Sequence, residues 1–97
     1  MGQEVVLLAR FLAKNGNENE VKKELLSLVE PTRKENGCIV YNFHTEAKNK
    51  NAFVFYEIWE NNDFLKQHSQ TDRFIKCMEN VKELLEKPVD LIFLNKQ

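Results

Sequence analysis

The stretch Phe53-Val54-Phe55-Tyr56-Glu57-Ile58-Trp59 constrains this chain more than any other. Its aromatic and β-branched side chains read as a strand. Alternation sends Phe53, Phe55, Glu57 and Trp59 to one face, and Ala52, Val54, Tyr56 and Ile58 to the other. Both faces are apolar, which a sheet with one solvated side does not need. One of them also carries an acid between aromatic neighbours. A carboxylate there costs free energy unless it is paired, hydrated or used.

The remaining chain supplies partners for that strand. Val5 to Ala13 is a first strand, again apolar on both faces, and Asn15-Gly16-Asn17 is a turn signal. From Glu18 to about Asn36 the spacing of Val21, Leu25, Leu28, Val29 and Thr32 is helical, capped by Asn17 or Asn19. Pro31 has no N–H for the Ser27 carbonyl, so a kink or break is expected there. Asn36-Gly37 stops the helix. Cys38 to Glu46 forms a second strand, with Ile39, Tyr41, Phe43 and Thr45 on one face. A polar connection, Ala47 to Asn51, leads into a third, Ala52 to Glu60, and the two make a hairpin. Asp63 to His68 is a short helix capped by Asn61 or Asn62. Ser69 and Asp72 stand at capping-box spacing before a helix from Asp72 to Glu86, striped by Phe74, Met78, Val81 and Leu85. Pro88 ends it, and Val89 to Leu94 is the last strand. The order is that of the split βαβ, ferredoxin-like α+β arrangement, βαββαβ, an antiparallel sheet with helices on one face. The uncovered apolar face predicts a homodimer in which two sheets face each other.

With 97 residues, 42% apolar and 30% charged, the chain holds one folded domain, residues 1–97. Its net charge of -1 gives no electrostatic case for nucleic acid or an anionic membrane. No apolar run approaches the ~20 residues of a membrane span, no secretion signal is seen, and Met1-Gly2 matches a myristoylation site poorly because residue 6 is Val. Cys38 and Cys77 lack metal-type spacing; as lone thiols in apolar segments they read as small core residues in a reducing, cytoplasmic setting. No glycine-rich phosphate loop, Ser/His/Asp set or metal constellation is present in the sequence.

Gly37-Cys38-Ile39-Val40-Tyr41 after a helix, then Phe53 to Trp59, then Phe64-Leu65-Lys66-Gln67-His68, then Phe74, resemble the antibiotic biosynthesis monooxygenase superfamily. The likeness runs from Val5 to about Leu94, and its most specific part is Tyr-Glu-x-Trp followed nine residues later by His. The resemblance implies a dimeric ferredoxin-like α+β barrel. It also implies a monooxygenase that oxidises a small quinol or polyphenol with O2 and no cofactor. Other members degrade haem or process a small autoinducer sugar derivative. Haem-degrading members use an Asn on the first strand, and Val5 to Ala13 contains none.

Oxygenation without a cofactor needs an electron-rich ring, a base to form its phenolate and a dry pocket. His68 is the first candidate base, since imidazole works near neutrality without a shift. Its plain structural reading is a packed histidine near Phe64. Glu57 is the second catalytic candidate, with a carboxyl that resists ionisation between Phe55 and Trp59. Its structural reading is an acid tied to a neighbouring strand or to Arg10. Trp59, Tyr41 and Phe55 are candidate substrate-binding walls, or simply core. A phosphorylated substrate would instead need guanidinium groups, and only Arg10, Arg33 and Arg73 supply them.

Overall fold

The computed structural model describes residues 3–97; Met1 and Gly2, on which the myristoylation reading falls, lie outside them. The elements are β1 (Val5–Leu12), α1 (Glu18–Leu26), α2 (Val29–Arg33), β2 (Cys38–Glu46), β3 (Asn49–Trp59), α3 (Asn62–Ser69), α4 (Asp72–Val81), a 3-10 turn (Lys82–Leu84) and β4 (Asp90–Leu94). The strands form one antiparallel sheet in the order β2-β3-β1-β4. This is the ferredoxin-like α+β arrangement read from the residues.

Strand register explains the core. Leu7, Ala9 and Phe11 of β1 pair with Glu57, Phe55 and Phe53 of β3, and all six side chains are buried on the helix side. Val21 and Leu25 of α1, Leu28 and Val29 at the start of α2, and Cys77 of α4 close over them. The other face carries Val6, Leu8, Val54, Tyr56 and Ile58, which the chain covers only partly. At the open edge, Leu91, Ile92, Phe93 and Leu94 of β4 are all exposed.

Two helices end earlier than the sequence expectation: α2 at Arg33 rather than near Asn36, and α4 at Val81, where a 3-10 turn replaces the expected run to Glu86. Four further features differ for local reasons. The long helix breaks at Ser27 and Leu28, one turn before Pro31. Pro31 then sits in the first turn of α2, where a missing N–H costs no helical bond. The Ser27 carbonyl is the one that Pro31 cannot serve, and the Ser27 hydroxyl turns back to donate to Glu24 O at 2.6 Å. The hairpin turn is only Ala47-Lys48: Asn49, Lys50 and Asn51 already belong to β3. There Lys50 is exposed, while Asn49 accepts from Asn51 N and Asn51 donates to Asn15 Oδ1, so their polarity marks the sheet end rather than a loop. A bulge shifts the register between Cys38 and Val40, placing Cys38 against Trp59 and leaving Ile39 exposed instead of on the Tyr41 face. The cap of α4 is Thr71, whose Oγ1 accepts from Phe74 N at 3.3 Å, whereas Ser69 is the last residue of α3 and donates to Lys66 O.

Gly37 positions α3. It has φ +81°, and a Cβ there would lie 2.1 Å from the Phe64 ring. The chain needs glycine at this point to reverse after α2 and to let Phe64 approach. Asn61 then caps α3 through Phe64 N at 3.2 Å, and His68 points inward one turn on.

Candidate active site

His68 is 3% exposed, packed 4.8 Å from the rings of Trp59 and Phe74 and 5.5 Å from Tyr41. Its Nδ1 lies 3.0 Å from Glu35 Oε1, and Arg73 donates to Glu35 Oε2 at 3.0 Å. A carboxylate on Nδ1 holds the N–H there and leaves the lone pair on Nε2. Nε2 is buried and, among the described residues, has no hydrogen-bond partner. Burial lowers the His68 pKa, and the Glu35 charge opposes that only in part, so the ring is neutral near pH 7.

Glu57 is 4% exposed and accepts from Trp59 Nε1 at 2.9 Å. The two share a face of β3 two residues apart, as alternation requires. Burial raises its pKa to about 7, against the Trp59 hydrogen bond, which lowers it. Arg10 does not reach it. That guanidinium lies on the opposite face and pairs with Glu46, with Nη2 at 3.2 Å from Oε1.

Both groups line a cavity of about 560 Å³ between the sheet and the helices, with Tyr41, Phe55, Leu28, Leu65, Phe74 and Met78 among its walls. Such a volume suits a small organic molecule. Tyr41 stacks on Phe55 with centroids 4.8 Å apart and stands opposite Glu57 in the β2–β3 register. Burial first, and the Glu57 charge second, push the Tyr41 phenol far above its ordinary range, so it remains neutral. Trp59 is fully buried but does not line the cavity; it stands behind the wall as the donor that orients Glu57. Asn42 and His44 are exposed on the helix-free side, away from the cavity.

Sequence reasoning did not single out Glu35. No local period links it to His68, 33 residues away; only the packing of α3 beside the end of α2 joins them. Arg73, a phosphate-ligand candidate in the sequence, instead buttresses Glu35. All three candidate guanidiniums are committed elsewhere: Arg10 to Glu46, Arg33 to Tyr41 O and Asn42, and Arg73 to Glu35. Lys66 is the cationic side chain that lines the cavity.

The profile of the family described as "Antibiotic biosynthesis monooxygenase" matches residues 4–80. The chain belongs to this family. Among its relatives, "Putative monooxygenase YcnE" of Bacillus subtilis is 32% identical over 88 residues, covering 91% of this chain and 93% of that one. The protein sll1783 of Synechocystis is 38% identical over 74 residues, and there the match spans 72% of this chain but only 50% of the relative. The crystal structure of PA3566 from Pseudomonas aeruginosa superposes with a TM-score of 0.93 at 28% identity, covering 100% of this chain and 97% of that one. Rv0793 from Mycobacterium tuberculosis superposes with a TM-score of 0.91 at 25% identity, covering 98% and 96%. Among the described residues, no helix is long and apolar enough to cross a membrane.

Proposed function

We propose that the protein is a monooxygenase for a small hydroxylated aromatic substrate, with the substrate anion itself as the reductant of O2. The observation that carries this reading is the unpartnered Nε2 of His68, buried among aromatic walls while Nδ1 is anchored to Glu35. A phenolic O–H is the kind of donor that would satisfy it.

The proton gap sets the task. A phenol near pKa 10 and an ordinary imidazole near 6.5 differ by ~3.5 units, or about 5 kcal/mol, and burial of His68 widens that gap. The Glu35 carboxylate supports the imidazolium as it forms and so limits how far burial widens the gap. Exclusion of water strengthens each of these contacts. The ring anion then passes one electron to O2, and superoxide and ring radical combine at carbon. Loss of water from the resulting hydroperoxide leaves one oxygen atom on the ring. For a quinol the balance is quinol plus O2 giving hydroxyquinone plus water. His68 takes the first proton, and its imidazolium can return it to the departing peroxide oxygen. Glu57, titrating near neutrality, holds the second ring oxygen as donor or acceptor. Tyr41 and Phe55 stack on the ring face.

Oxygen uptake with a panel of hydroquinones, using protein stripped of metal and flavin, tests the proposal. Uptake is expected in the wild type. His68→Ala should lower turnover by at least about 100-fold, the usual worth of a general base, and Glu57→Gln should lower it less. Absence of uptake with every hydroquinone, or unchanged rates in both variants, contradicts the assignment. Haem titration, followed by absorbance, checks the alternative that Nε2 serves as an axial ligand.

A further inference from the structure

A second hollow adjoins the cavity. It measures about 700 Å³ and lies between α4, the 3-10 turn and the connection to β4, lined by Ile75, Met78, Val81, Leu85, Pro88 and Val89. The two hollows have Phe11, Ser69, Phe74, Met78 and Val89 as common walls. Their chemistry differs. The inner one holds the buried polar groups Glu57 and His68. The outer one is apolar within, and its charged residues, Glu79, Lys82, Glu86 and Lys87, are all exposed side chains.

We propose that the substrate is an amphiphile, a hydroxylated arene bearing an unbranched apolar chain, with the ring in the inner cavity and the chain in the outer groove. This rests on the ring-binding reading above and adds the substrate class to it. A bare ring satisfies His68 Nε2 and Glu57 but leaves the outer groove wet. Ile75 at 45% exposure leaves apolar surface open on the groove. A polar head joined to an apolar tail matches the order of the two compartments. Met78, at their junction, is unbranched and adapts its shape to a chain passing by it. The helix-free sheet face, reserved for a second copy, lies on the other side of the sheet, so both can be occupied together.

The test is binding under argon, followed by fluorescence of the single tryptophan, Trp59, which sits 4.8 Å from His68. The probes are hydroquinone and its 2-methyl, 2-butyl, 2-hexyl and 2-octyl derivatives. In the wild type, Kd should fall by roughly fourfold per methylene buried. Ile75→Asp, at an exposed position, should flatten that dependence while leaving the Kd of unsubstituted hydroquinone unchanged, and Ile75→Val should preserve it. A Kd independent of chain length in the wild type overturns the proposal. So does a dependence that Ile75→Asp leaves intact, which indicates non-specific partition. Light scattering adds a third check: if Ile75→Asp lowers the assembly mass, the groove belongs to a second copy and the proposal falls. None of these readouts needs turnover. Chain-length-dependent binding without oxygen uptake would keep the amphiphile and remove the oxygenase; uptake with a KM indifferent to chain length would do the reverse.

Discussion

At the scale of single residues, Glu57 and His68 are pushed in opposite senses by the same burial. The folded chain holds the Glu57 proton up to about pH 7, whereas the ordinary carboxyl loses it near 4.5. The stability this lends is full below 4.5 and is lost as pH rises through 7, an amount of about 3 kcal/mol for a shift of this size. His68 works the other way. Its folded pKa lies below 6.5, so the unfolded chain binds that proton first, and stability falls as pH drops below 6.5 toward the folded value. Comparison with Glu57→Gln separates the two, since Gln keeps an acceptor for Trp59 Nε1. Urea unfolding should show the variant gaining on the wild type by about 2.5 kcal/mol between pH 5 and pH 8, most of the full effect. An equal difference at both values would mean that Glu57 is hydrated and ionised. Glu57 could be suspected from sequence because alternation fixes its neighbours on the same strand. Glu35 could not, because its partnership with His68 exists only once α3 lies beside the end of α2.

At the scale of elements, what was legible followed from period and punctuation. The strand faces, the helical stripe of Phe74, Met78 and Val81, and the turn at Gly37 are all local, although the helix before that turn ends at Arg33. What was missed required a second element: the bulge that turns Cys38 toward Trp59 depends on pairing with β3. The true cap at Thr71 depends on where α3 ends. The break before Pro31 shows both at work. Proline forbids one hydrogen bond, yet the chain relocates the break so that the ring falls within a first turn. Gly37 is the sharpest structural test. Gly37→Ala meets both the positive φ and the Phe64 ring, and should destabilise the chain by more than about 1 kcal/mol. Because α3 carries His68, the variant should also lose activity in the temperature range where it remains folded. Stability within 0.5 kcal/mol of the wild type, on the same approximate scale, would mean that Phe64 does not hold α3 in place.

At the scale of the whole molecule, the sheet face opposite the helices still asks for cover. Val6, Leu8, Val54, Tyr56 and Ile58 form a contiguous apolar patch there, flanked by the Arg10–Glu46 pair and by Ile92 and Leu94. We propose that a second copy covers it, making the homodimer anticipated from the sequence. Light scattering should return twice the chain mass, and Leu8→Lys should return the mass of one chain with the helical spectrum retained. A single-chain mass for the wild type at micromolar concentration would remove the dimer. The account of activity turns on a narrower point, that Nε2 of His68 takes a proton from a bound phenol. The ultraviolet difference spectrum of a hydroquinone bound under argon, taken from pH 7 upward, reads this directly. Proton transfer to Nε2 predicts that the bound ring ionises at a lower pH in the wild type than in His68→Ala; the same ionised fraction in both, at pH 7 and at every higher pH, would contradict it.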